Sequence, residues 1–253
     1  MANTDILAKY GIKEVADVTF YKIEDNGSIG APVLYLDTLK VSTIEQTAEQ
    51  ADARGGKGNP ALISWDYGKE INVTLEDALF SAKSMAVMFG NGLGAVADSG
   101  SITKTVEFLG SEGVPSMATI GGKKYKFDGT VKVYDPDTNK EVTSTGNLTA
   151  TKKYLATGKI VTKEVTTIDI SGNSFPGTYY VTGDTYARSF TTGEDEFFQF
   201  QIGKAKVTSE NTITLEAEGD PSVFNMSLKV LRDDNGQMMK LVKYNMTPET
   251  VQG

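Results

Sequence analysis

Apolar and polar side chains alternate along residues 63 to 76. The odd positions read Ile63, Trp65, Tyr67, Lys69, Ile71, Val73 and Leu75, and the even ones Ser64, Asp66, Gly68, Glu70, Asn72, Thr74 and Glu76. A period of two belongs to a strand with one apolar and one polar face, and it puts Trp65 in phase with the apolar one. Ahead of it, Leu39 to Gln50 starts apolar and becomes polar on both faces, and the loop Arg54-Gly55-Gly56-Lys57-Gly58-Asn59 follows. The pattern predicts a long hairpin over residues 39–76 whose polar far end is not expected to be stable within its own chain. Its glycine-rich tip is expected to be a mobile basic loop or, in a second version, a contact arm that orders only against a neighbouring subunit.

Elsewhere the same period recurs. Val18, Phe20 and Ile23 predict a strand closed by the turn Asp25-Asn26-Gly27, and strands are expected over 102–109, 117–127, 130–134, 165–170 and 177–186. The clearest series comes last. Phe198, Phe200 and Ile202, then Ile213, Leu215 and Ala217, then Phe224, Met226, Leu228 and Val230 each alternate with polar residues, and Asp233-Asp234-Asn235-Gly236 predicts a hairpin turn before Met238 to Tyr244. Only Ala78 to Phe89 changes period, predicting one helix with Ser81 as its N-cap, a methionine-rich core face and a stop at Gly90.

These elements predict an all-β fold: a sandwich or barrel with one flanking helix and a long hairpin arm. Residues 1–16 are expected to be a leader, 17–110 and 191–253 one core, and 111–190 a β-rich insertion or outer decoration. Within that insertion, 138–158 is poor in large apolar residues and is expected to be loop or a decorating hairpin.

Composition narrows the chemistry. The chain has 253 residues, no histidine and no cysteine, which excludes Ser-His-Asp and Cys-His nucleophiles, imidazole or thiolate zinc sites and disulfides. A net charge of -8 without a basic cluster disfavours tight nucleic-acid binding, though not passage along an acidic surface. No apolar run approaches the roughly 20 residues that span a bilayer, and the first residues lack a signal pattern. Synthesis in a cytoplasm is the expectation, with no membrane partner.

Three motifs invite functional readings and lose them to local ones. Gly55-Gly56-Lys57-Gly58 lacks the GxxxxGK[ST] spacing of a phosphate loop and precedes a strand. Gly90-x-Gly92-x-Gly94 follows a helix, so it reads as a helix stop and link. Asp135, Asp137 and Asn139 begin like a calcium loop, but Lys140 and Gly146 stand where its glycine and glutamate belong. Catalytic, cofactor and metal residues are therefore expected to be absent.

The long hairpin with Arg54-Gly55-Gly56-Lys57-Gly58-Asn59, the single helix after Glu76, and the closing series from Phe197-Phe198-Gln199-Phe200-Gln201-Ile202 through Phe224 to Leu231 together resemble bacteriophage tail tube (major tail) proteins. The resemblance covers residues 17–110 and 191–246. It implies hexameric rings stacked into a hollow tube, in which hairpins of neighbouring copies form one inner barrel around a tape-measure protein and passing DNA. Sheath or tail terminator proteins are further implied partners. On that reading Glu70, Asn72, Thr74 and Glu76 are lumen-facing candidates, because carboxylates repel phosphate. Arg54, Gly55, Gly56, Lys57, Gly58 and Asn59 are inter-subunit candidates.

Three other functions stay open on the sequence. A carbohydrate-binding or adhesin module would need an aromatic platform, with Tyr179, Tyr180 and Tyr186 as candidates. A hydrolase would need a carboxylate pair. The tube of a contractile injection system shares every feature above.

Overall fold

A computed structural model describes residues 9–12, 14–90, 96–168, 170–208 and 223–244. The expected strand at 213–218 and the glycines at 92 and 94 lie outside these residues. The strands are β1 (Tyr10–Ile12), β2 (Asp17–Ile23), β3 (Ile29–Leu36), β4 (Leu39–Arg54), β5 (Ala61–Asp77), β6 (Val96–Leu109), β7 (Met117–Ile120), β8 (Lys123–Lys126), β9 (Asp128–Asp135), β10 (Lys140–Glu141), β11 (Lys153–Thr166), β12 (Thr178–Ser189), β13 (Asp195–Val207), β14 (Phe224–Leu231) and β15 (Met239–Tyr244). One α-helix, α1 (Ala82–Phe89), follows β5. The fold class is all-β.

The chain forms two compact units, Met1–Gly94 with Ile168–Gly253, and Ala95–Thr167. In the first, the described residues form a nine-stranded sheet that runs β3-β2-β12-β13-β14-β5-β4, with β1 added to β12 and β15 to β13. Alternation fills its core: Val18, Phe20, Val73, Val181, Ile202, Ala205, Val207 and Leu228 are fully buried. Burying each large side chain contributes about 1.5–3 kcal/mol relative to leaving it in water. Leu34 and Leu36 of β3 and Leu39 of β4 lie at opposite ends of the strand order yet share this core. The sheet therefore curls around its own interior, and Val87, Met88 and Phe89 of α1 pack into it. Ser81 and Ser84 cap the helix reciprocally, at 3.0 and 2.8 Å, and Gly90 closes it in the left-handed region, with φ 75°.

The second unit holds a four-stranded antiparallel sheet, β10-β9-β11-β6, and the hairpin β7-β8. Phe108, Val133, Tyr154 and Ala156 form one buried cluster, and Ala118, Phe127 and Ile160 another.

Several expectations shift. The second unit begins at Ala95 and ends at Thr167, whereas the insertion was expected over 111–190. β6 pairs along its length with β11, and β12 pairs with β2 and β13 in the large sheet. Alternation marks a strand but carries no record of which distant strand will pair with it. For the same reason Lys153 to Gly158, expected as part of a loop or a decorating hairpin, belong to a 14-residue strand of the four-stranded sheet. Within the expected leader, Tyr10–Ile12 pairs with Ala187–Ser189.

Asp233 to Gly236 is a turn but not a hairpin. β14 and β15 both pair with β13, β14 against Lys204–Val207 and β15 against Phe197–Ile202. The Asp233 carboxylate accepts from the amides of Asn235 and Gln237 at 2.9 and 2.7 Å, and Asp233 N–H donates to the Gln237 carbonyl. That closure loops the turn residues out and returns the chain to the line it left.

Candidate functional site: the β4-β5 arm

The arm is anchored at its base. Thr38 donates to the buried Asp77 carboxylate at 2.5 Å, which also accepts from the Leu79 amide at 3.2 Å, while Ile71, Val73 and Leu75 enter the core. From there β4 and β5 pair as far as Arg54 opposite Ala61. At about 3.4 Å per residue, the 17 residues of β5 span on the order of 55 Å.

Backbone pairing runs out along this length. Among the described residues β5 has, besides β4, β14 as its one partner, over Asn72–Asp77. β4 has β5 as its one partner among the described residues. Among the described residues, the whole outer edge of β4 and the β5 edge from Ala61 to Ile71 therefore offer unmatched N–H and C=O groups, the feature through which strands recruit other chains.

The tip has a defined shape of its own. Gly55 N–H donates to the Pro60 carbonyl and Asn59 N–H to the Gly56 carbonyl, both at 3.2 Å. Gly56, Gly58 and Asn59 take φ of 81°, 86° and 50°, a region open to glycine and tolerated by asparagine. The loop was expected to hold no shape alone; these bonds close it within one chain. Arg54 is engaged by Asp52 at 2.6 Å, and Lys57 is exposed at the turn.

Glu70, Asn72, Thr74 and Glu76 lie on one face, opposite Ile71, Val73 and Leu75. Their cross-strand partners on that face are Thr47, Glu45, Thr43 and Val41 from β4, and Lys229, Ser227 and Asn225 face Asn72, Thr74 and Glu76 from β14. The patch is polar apart from Val41, with three carboxylates and one lysine. Lys229 donates to Glu70 at 2.6 Å, an exposed pair.

The apolar phase does not continue from Ile71 to Trp65. Thr47 pairs with Glu70 and Glu49 with Tyr67, so two steps along β4 match three along β5. The extra residue is a bulge at Gly68, whose φ is 61°. Opposed residues share a face, so Tyr67, Trp65 and Ile63 stand on the side of Glu70 to Glu76. On the other face of the distal arm polar residues bond across the strands: Ser64 donates to Asp52 at 2.8 Å and Gln50 to Asp66 at 2.9 Å. Sequence alternation counted straight through the bulge and put Trp65 on the wrong side. A glycine inside an otherwise apolar-polar strand was the signal that could have revealed it.

The remaining candidate chemistry resolves into structure. Lys152 reaches Asp135 at 2.7 Å and Asp137 at 2.8 Å, so an ammonium group sits where the broken calcium motif would hold a cation. Its hydrogen bond holds the Asp135 carboxyl below the usual carboxylate range, and both aspartates raise the lysine. Tyr179 packs edge-on against Phe20 and Tyr180 tilts against Tyr21, while Tyr186 lies beside Phe197, so the three tyrosines make no single platform. Among the described residues there is no cluster of three or more potential metal ligands, and no helix long and apolar enough to cross a membrane.

Fold and arm together define an all-β protein whose most extended element presents, among the described residues, open strand edges. The model of the YomU/Tube protein family matches residues 10–243, and the chain belongs to that family of phage tail tube proteins. It is a structural protein of the tail tube and a component of the virion tail. No curated protein matches the chain.

Proposed function

We propose that arms of neighbouring copies pair edge to edge and close a shared barrel, as hexameric rings stacked into a hollow tube. The observation that carries this reading is the backbone left unmatched on both sides of the arm among the described residues, which a ring of identical arms removes by having no first or last strand. The face of Glu70, Asn72, Thr74 and Glu76 then lines a wet bore that houses the tape-measure protein and passes DNA. Its excess of carboxylates over lysine leaves phosphates without an attractive partner. The tip from Arg54 to Asn59 contacts an adjacent subunit or ring, and sheath or terminator proteins meet the finished tube. A contractile injection system would use the same geometry without a genome.

Negative-stain microscopy of the purified protein tests the assembly. Rings or hollow cylinders are expected, and compact single particles at high concentration would refute it. Deleting Gly55 to Gly58 is expected to leave soluble subunits that no longer polymerise; intact tubes from that variant would remove the tip from the interface.

A further inference from the structure

The bulge at Gly68 divides the arm into halves whose wet and dry faces are exchanged. Below it the dry side is the core side, with Ile71 7% exposed and Val73 and Leu75 buried. Above it the apolar side is the opposite one: Ile63, Trp65 and Tyr67 are 55%, 54% and 53% exposed, with Ala53 and Ala51 across from Ile63 and Trp65, and Glu49 across from Tyr67 at the bulge. The polar residues of the distal half bond to one another on the remaining face.

Given the tube reading, on which this inference rests, a face that begins as Glu76 to Glu70 and continues as Tyr67, Trp65 and Ile63 does not suit one bore throughout. Its first half belongs against water and its second against protein. We propose that the distal half leaves the bore wall and laps over the outer side of a second copy of this chain, with Trp65 and its two neighbours buried between the two. The distal face then still points toward the bore axis, but another copy's wall lies between. The bulge, which bends and twists a strand, sits where the change of course is needed.

The size of the face identifies its occupant. Three large side chains about half exposed offer roughly 300 Å², whereas a stable pairwise interface takes about 800 Å² from each partner. A patch this small does not hold an unrelated protein by itself. As one joint in a polymer whose arms are also joined along their edges it suffices, and only another copy of the chain supplies that second attachment.

Trp65 is the only tryptophan, so its emission reports the joint without any label. Emission and acrylamide quenching are to be compared between dispersed subunits and assembled tubes. A blue shift and loss of quenching on assembly are expected, because acrylamide enters a wet bore but not a protein joint. Tubes that form with Trp65 still red-shifted and fully quenched would overturn the lapped joint while leaving the tube itself standing. Failure to form any tube would overturn the assembly reading, and this joint with it. As a second arm, Trp65→Ser with Tyr67→Ser should leave the thermal midpoint of the dispersed subunit unchanged and abolish or sharply weaken assembly. Tubes of normal length and yield from that variant would also overturn the joint.

Discussion

Replacing Gly68 by alanine isolates the backbone conformation on which the arm turns. At φ 61° an L-residue with a Cβ costs roughly 1–2 kcal/mol. Steric overlap adds little, because a Cβ there would meet only the Glu49 side chain, at 3.8 Å. The cost falls on the arm and not on the body, since among the described residues β5 from Ala61 to Ile71 is paired to β4 alone and the core residues nearest the site lie from Ile71 onward. The thermal midpoint of the dispersed subunit should therefore move little. Assembly selects the arm in its native shape, so the critical concentration for tube formation should rise roughly 5- to 30-fold, the ratio that 1–2 kcal/mol commands. Asparagine visits the left-handed region more readily, and Gly68→Asn should assemble closer to the unaltered protein. Sedimentation across a concentration series measures both. The reasoning fails if Gly68→Ala assembles at the unaltered concentration, or if Gly68→Asn is impaired as severely as Gly68→Ala.

Three further outcomes follow from named contacts. Glu70→Lys with Glu76→Lys should spare assembly, because the Glu70–Lys229 pair is exposed and worth no more than about 1 kcal/mol, but should impair DNA delivery; normal ejection would count against a bore position for this face. Gly183→Ala should destabilise the first unit by about 1–3 kcal/mol in denaturant titration, since a Cβ there overlaps the buried Phe200 ring; an unchanged midpoint would mean that the ring relaxes freely. Asp135 has a depressed folded-state pKa, so its contribution is present above the unfolded value of about 3.9 and is lost as pH falls through the folded one. Acid unfolding of the second unit should show this loss, and Asp135→Asn should flatten it.

Much of the fold was legible locally. Period two at Val18 to Ile23, Phe198 to Ile202 and Phe224 to Val230, the capping signal at Ser81 and Gly90, and the reach of the hairpin all depend on neighbours within a few residues, and the structure contains each of them. Absence of histidine and cysteine likewise needed no coordinates. The candidate face Glu70 to Glu76 was readable because no bulge interrupts that stretch of β5.

Tertiary structure settled what depends on distant partners. Whether β6 and β12 join one sheet or another, and whether the Asp233 turn reverses the chain or returns it to the same line, turns on register against strands far away in sequence. The side on which Trp65 stands turned on one extra residue, visible only once β4 was laid beside β5. Alternation records which residues differ in polarity, while pairing assigns them to a side of the sheet, and a bulge separates the two because it adds a residue without adding a partner.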